Sequence, residues 1–169
     1  VTPAEIRAAI RDFLDLLEHG RGSEYENWRD LVRCLDQLCW AYHRAEERAE
    51  SGPRDSYCPS TPFMERYMAL RTLAGARFPD FGYYNHLDNT TTEIAEPRPY
   101  LVGDAIDDLA SIAAVLQAAQ WRWEHVSEGH ALYMFRLEFA SHALDHVRYL
   151  QVFLLEYLQE QRPEWVGTY

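Results

Sequence analysis

In WRDLVRCLDQLCWAY, residues 28–42, apolar side chains fall at Trp28, Leu31, Val32, Leu35, Leu38, Cys39 and Tyr42. The gaps are threes and fours, so successive helical turns present one apolar face and leave the other to Arg and Asp. The same period recurs along the chain. Ile6, Ile10, Phe13, Leu14 and Leu17 form a stripe that ends near Gly20, and Phe63, Tyr67, Leu70 and Leu73 form another. Ile106, Leu109, Ile112, Ala113, Leu116 and Trp123 make a fourth. A last one follows Phe135, Phe139, Ala143, Leu150 and Phe153 until Pro163.

The helix starts agree with the stripes. Thr2-Pro3-Ala4-Glu5 and Ser23-Glu24-Tyr25-Glu26 are capping boxes, and Thr61-Pro62 opens a helix as Thr2-Pro3 does. Asp104-Ala105-Ile106-Asp107 puts carboxylates where the helix dipole favours them, and Ser127 precedes the last start. Together these predict helices over roughly 3–19, 24–50, 62–76, 104–126 and 128–161. No segment alternates apolar and polar residues between turn signals, so no sheet is expected. The expected fold is all-α: a single-domain, up-and-down bundle of five helices.

Two connections are longer than such a bundle needs. Residues 51–60 are an ordinary turn-rich loop, whereas 77–102 (RFPDFGYYNHLDNTTTEIAEPRPYLV) is long and rich in aromatics. Leaving Phe78, Phe81, Tyr83 and Tyr84 in water is costly, so FPDFGYYNH is expected to pack on the bundle, with Thr90–Thr92 looser. Phe81, Tyr83, Tyr84, Asn85 and His86 are therefore candidates for an interaction loop.

Composition narrows the class. The chain has 169 residues, enough for one substantial core, and 47% of them are hydrophobic, which excludes wholesale disorder. A net charge of −11 argues against nucleic acid, whose phosphates need clustered Lys and Arg. An acidic surface serves solubility or docks a basic protein. No run approaches the ~20 apolar residues that span a bilayer, and the N-terminus lacks a signal-peptide layout. Val1 fits a GTG start codon read literally, which would make the chain complete. Three cysteines without a secretory signal fit a reducing compartment, so a cytoplasmic location is expected. Cys34 and Cys39 sit about 140° apart around one helix and cannot pair. Asn89-Thr90-Thr91 matches a sequon but means nothing without secretion.

The chemistry concentrates in EFASHALDH, residues 138–146. Helical spacing brings Glu138, His142, Asp145 and His146 to one flank beside the apolar stripe. Two imidazoles four apart can share a divalent transition metal, with Glu138 a turn back and His43 on an early helix as further ligands. The bland reading is a pair of structural histidines bonded to a Tyr or Asp in the core. Asp104, Asp107 and Asp108 are ordinary first-turn carboxylates on one reading; on the other, Asp108 pairs with His142 or His146 across the bundle. No GxSxG, P-loop or GxGxxG is present. Trp121-Arg122-Trp123 is a recognition edge on one reading; on the other, Trp123 is core and Trp121 covers the rim.

Three stretches taken together, FPDFGYYNH at 78–86, VGDAIDDLASI at 102–112 and FRLEFASHALDHVRYL at 135–150, resemble a bacterial family catalogued as domain of unknown function 5063. The likeness spans roughly residues 60–157 and rests on the GDxxDDL run and the paired histidines. It implies an all-helical bacterial protein and brings no activity with it. It does imply that Asp104, Asp108, His142 and His146 form one cluster. In that family an aromatic often follows the first histidine, where this chain has Ala143. The layout of one early histidine and a late H-x-x-x-H also resembles metal-dependent DinB-type four-helix bundles. Two functions are thus expected: first a non-catalytic accessory module that binds a protein partner or itself, and as the alternative a metal-binding bundle.

Overall fold

The computed structural model describes residues 2–45, 63–87 and 100–165. The Thr61-Pro62 helix start, the 51–60 loop, Cys58, Thr90–Thr92 and the tail of the second expected helix past Ala45 lie outside them. The helices are α1 (Pro3–His19), α2 (Glu24–Arg44), α3 (Phe63–Arg77), α4 (Ala105–His125), α5 (Glu128–Glu138) and α6 (Leu144–Gln161). A single π turn, Phe139–Ala143, joins α5 to α6, so the two act as one long bent helix and the all-α bundle counts five. A 3-10 turn, Pro163–Trp165, follows.

Local chemistry sets the starts. Thr2 and Glu5 close a full capping box, and Ser23 and Ser127 accept from Glu26 and His130 backbone N–H groups. Asp104 accepts from Ile106 N and Asp107 N and so caps α4. Each cap contributes about 1 kcal/mol. Gly20 ends α1 at a φ of 68°, a conformation that side chains with a Cβ rarely adopt.

Helix α4 is the axis of the molecule. It packs against α1, α3, α5, α6 and the π turn, and it is buried nearly all round. That is why its sequence is dense in alanine: Ala110, Ala113 and Ala119 let neighbouring helices approach closely, while Leu109, Ile112 and Leu116 fill the core. Each such Leu or Ile contributes roughly 1.5–3 kcal/mol by leaving water. Helix α1 lies on α2, and α2 on α6, which completes the bundle.

The expectation of no sheet is corrected. Strands β1 (Tyr83–Leu87) and β2 (Tyr100–Asp104) pair antiparallel, with Tyr84 opposite Gly103 and Asn85 opposite Val102. The hairpin runs straight into α4. Its alternation escapes a polarity pattern because an aromatic, Tyr83, occupies the outward position beside the inward Tyr84. The expected packing of FPDFGYYNH holds for Phe78, Phe81, Tyr84 and His86, whereas Tyr83 stays 77% exposed. Phe81 meets Phe153 and Tyr157, Tyr84 meets Phe153, and His86 stacks on Tyr149 at 4.0 Å. Tyr149, Phe153 and Tyr157 are four apart on α6, a ladder of rings that receives a ladder of rings.

Gly103 makes this docking possible. A Cβ built there would overlap the Tyr84 ring, which lies across the strand on the glycine. Gly103→Ala is expected to lose about 1–3 kcal/mol by overpacking, read as a lower urea midpoint. Gly82→Ala, where a Cβ would meet nothing, should stay within about 0.5 kcal/mol. Equal midpoints for the two variants would refute the role given to Gly103.

Candidate functional site

The first turn of α4 carries a buried carboxylate, Asp108, with 8% of its side chain exposed. A charge taken out of water needs partners on both oxygens. His146 Nδ1 of α6 lies 2.6 Å from Asp108 Oδ1. The Tyr84 hydroxyl of β1 donates to Asp108 Oδ2. One carboxylate therefore ties the hairpin, the central helix and the last helix together. Burial, and then the bond to Asp108, hold the Tyr84 hydroxyl well above the usual tyrosine pKa, so it remains a donor. With Nδ1 directed at a carboxylate, His146 is fixed in the tautomer whose Nε2 carries the lone pair. That nitrogen can accept a proton or bind a metal.

His142 stands edge-on to His146, with ring centroids 5.0 Å apart. It belongs to the π turn, a feature that recurs at functional sites. Partial burial of its ring, and then the neighbouring His146, lower its pKa and so favour the uncharged ring. Beside it opens a cavity of about 420 Å³ between α3, α4 and the π turn. Arg66 and Tyr67 of α3, Ser111, Ala114, Val115 and Ala118 of α4, and Glu138, Ser141 and His142 line it. A larger hollow of about 580 Å³ between α1, α3 and α4 lies elsewhere, ringed by Arg11, Asp15, Glu18 and Glu124.

The structure thus gathers Asp108, His142 and His146 from the expected cluster. It engages Glu138 differently: Arg122, only 4% exposed in its side chain, binds it bidentately at 2.7 and 2.8 Å. Arg122 is thereby a core residue and not part of a recognition edge. His43 is exposed at the end of α2, edge-on to Tyr42. Among the described residues, no group of three His, Cys, Asp or Glu side chains is arranged to hold a metal ion. Asp104 caps α4 and takes a 2.5 Å bond from Arg71, so it serves the helix start. Cys34 is no nucleophile, because burial pushes its thiol up to about 12.

Of the interaction-loop candidates, Phe81 and Tyr84 face the core, and His86 is half-buried against Tyr149. Tyr83 and Asn85 are exposed. Of the cavity residues, Tyr67 was expected only as part of the third apolar stripe, and Ser111 and Ser141 were not expected at a site. Ser111 was the detectable one, a lone hydroxyl within the apolar run Leu109–Leu116 of α4. Tyr84 could have been paired with Gly103 only by knowing the strand register.

No family model matches the chain, and no curated protein and no solved structure matches it either. Among the described residues, no helix is long and apolar enough to cross a membrane.

Tyr84→Phe leaves one oxygen of the buried Asp108 without its donor, which should cost about 1–3 kcal/mol at neutral pH. The raised tyrosine pKa also sets a pH dependence. The stability it confers is complete below the ordinary tyrosine pKa of ~10 and falls as pH rises above it, because only the unfolded chain then ionises readily. In Tyr84→Phe this alkaline decline should be shallower. It should not vanish, since burial raises Tyr67 and Tyr157 as well. Parallel stability–pH curves for wild type and variant would count against the buried bond.

Proposed function

We propose that the chain is a non-catalytic protein-interaction module whose recognition element is the outer face of the hairpin. The observation that supports this is exposure: Tyr83 is 77% and Val102 69% exposed. They are diagonal neighbours on one face, because Tyr83 opposes Asp104 and Val102 opposes Asn85. The other face is spent on Tyr84 and His86, which hold the hairpin to α6. Large apolar side chains fixed on a rigid support suit a binding anchor, and Tyr is enriched among such anchors. The net charge of −11 favours a partner with a basic surface. Membership of domain of unknown function family 5063 is also proposed, on the GDAIDDL run and the His142/His146 pair.

A second reading, a metal-binding bundle, draws on the Asp108–His146 bond, since a carboxylate behind an imidazole is a common support for a metal ligand. His142 and His146 would then be the ligands. Elemental analysis tests it directly: near-stoichiometric metal in wild type, lost in His142→Ala/His146→Ala, would support it. No metal after loading with zinc or manganese would exclude it.

The interaction reading is tested by photo-crosslinking in cells from position 83, with position 152 as an exposed apolar control (Val152, 55% exposed). A discrete adduct from position 83 alone, abolished by Val102→Asp, is expected. An adduct of twice the chain mass would identify the partner as a second copy. The same adducts from both positions would sink the proposal.

A further inference from the structure

The cavity beside the π turn is independent of the hairpin face and has a chemistry of its own. Its floor is Ala114, Val115 and Ala118, successive side chains along α4 too small to fill the space up to α3. Its volume of about 420 Å³ lies within the range of small-molecule sites, which combine an apolar floor with a few convergent polar groups. Here the polar groups are Ser111, whose Oγ lies 3.4 Å from the Tyr67 hydroxyl, and His142.

Charge decides what can enter. Glu138 is matched by the bidentate Arg122, and Arg66 at the rim already has an interaction of its own. The site thus holds no spare carboxylate for a cation, and its remaining lining is apolar apart from the Tyr67, Ser111 and Ser141 hydroxyls and an imidazole, so an uncharged ligand fits best. Yet His142 makes no hydrogen bond among the described residues, although its ring borders an apolar surface. Neutral imidazole has an acceptor nitrogen, and the natural complement is a hydroxyl. A floor of small side chains lined on one side by the Tyr67 ring suits a planar, apolar body.

We propose that this cavity binds a small, uncharged, hydroxylated aromatic of the phenol class, its ring on Ala114, Val115 and Ala118 and its hydroxyl donating to His142. His146, fixed from behind by Asp108, limits how far the His142 ring can turn and so holds that acceptor in place.

Phenol itself is the probe, titrated into the full chain and followed by amide chemical shifts. Saturable shifts confined to residues around Ser111, Ala114 and His142 are expected. His142→Ala, at an exposed position, should weaken binding about tenfold, the loss that goes with one hydrogen bond. Ala114→Leu should weaken it at least as much by filling the floor. Toluene, which lacks the hydroxyl, and benzoate, which carries a charge, should both bind more weakly than phenol. Absence of saturation, equal binding of toluene, or unchanged affinity in His142→Ala would each overturn the proposal. Because none of these variants touches Tyr83 or Val102, failure here leaves the crosslinking test of the hairpin unaffected.

Discussion

A single buried carboxylate organises the molecule. Asp108 sits on the helix that α1, α3, α5, α6 and the π turn pack against, and there it is withdrawn from water. A lone carboxylate in such a place costs several kcal/mol. The fold offsets that cost by bringing a hydroxyl from the hairpin and an imidazole from α6. Those two bonds have geometric consequences. For its hydroxyl to reach Asp108, the Tyr84 ring must lie across β2, and it can do so only where the opposing residue has no side chain. Gly103 is that residue. The chain then has one further position, Asp104, in which to leave the strand and cap α4. The GDAIDD run is thus three tasks in sequence: clearance for a ring, a cap, and the carboxylate the ring serves.

The π turn answers a different constraint. Phe135, Phe139, Ala143 and Val147 are all completely buried, and each is four residues after the last. In a regular helix each step of four drifts by about 40°, so three steps carry the stripe about 120° around the axis. Such a stripe cannot stay on one neighbour. A wider turn with i→i+5 bonding takes up the drift and keeps all four side chains in the core. The Arg122–Glu138 pair fixes the residue immediately before the turn. Widening the backbone there also brings His142 to the edge of a hollow floored by alanines. Packing demand and an accessible polar group therefore have one origin.

Much of this was legible in the residues, for reasons that differ by element. The helices were, because caps and stripes are local and each supports the other: Thr2 with Glu5, Ser23 with Glu26, Asp104 with Asp107. The Asp108–His146 pair was foreseen only as one of several pairings, since nothing local says which histidine faces which carboxylate across a bundle. Glu138 shows the limit most clearly. Its spacing to His142 is right for a shared site, yet a cation sixteen residues earlier holds it, and no periodicity encodes a contact between two helices. The hairpin was missed because its outward face mixes Tyr83 and Val102 with Asn85 and Asp104, which breaks the usual apolar–polar alternation. The π turn did leave a trace, in three successive gaps of four with no gap of three.

The same facts bear on what the histidines are for. A histidine that only fills the core has no reason to stand beside a second one that remains exposed and unbonded among the described residues. Asp108 already satisfies His146, and Tyr84 already satisfies Asp108, so stability alone asks nothing of His142. A regular helix former at that position would have higher helix propensity and no desolvation cost when neutral. What His142 adds is a neutral acceptor, held against a braced neighbour, at the border of an apolar hollow. The hairpin repeats this division of labour. Tyr84 does the structural work inward, while Tyr83 beside it stays in water with a large apolar surface that the fold itself does not use. In both places the residue unexplained by stability adjoins the one that stability requires. A rigid support beside an uncommitted side chain is what recognition needs, because little conformational entropy is left to lose on binding.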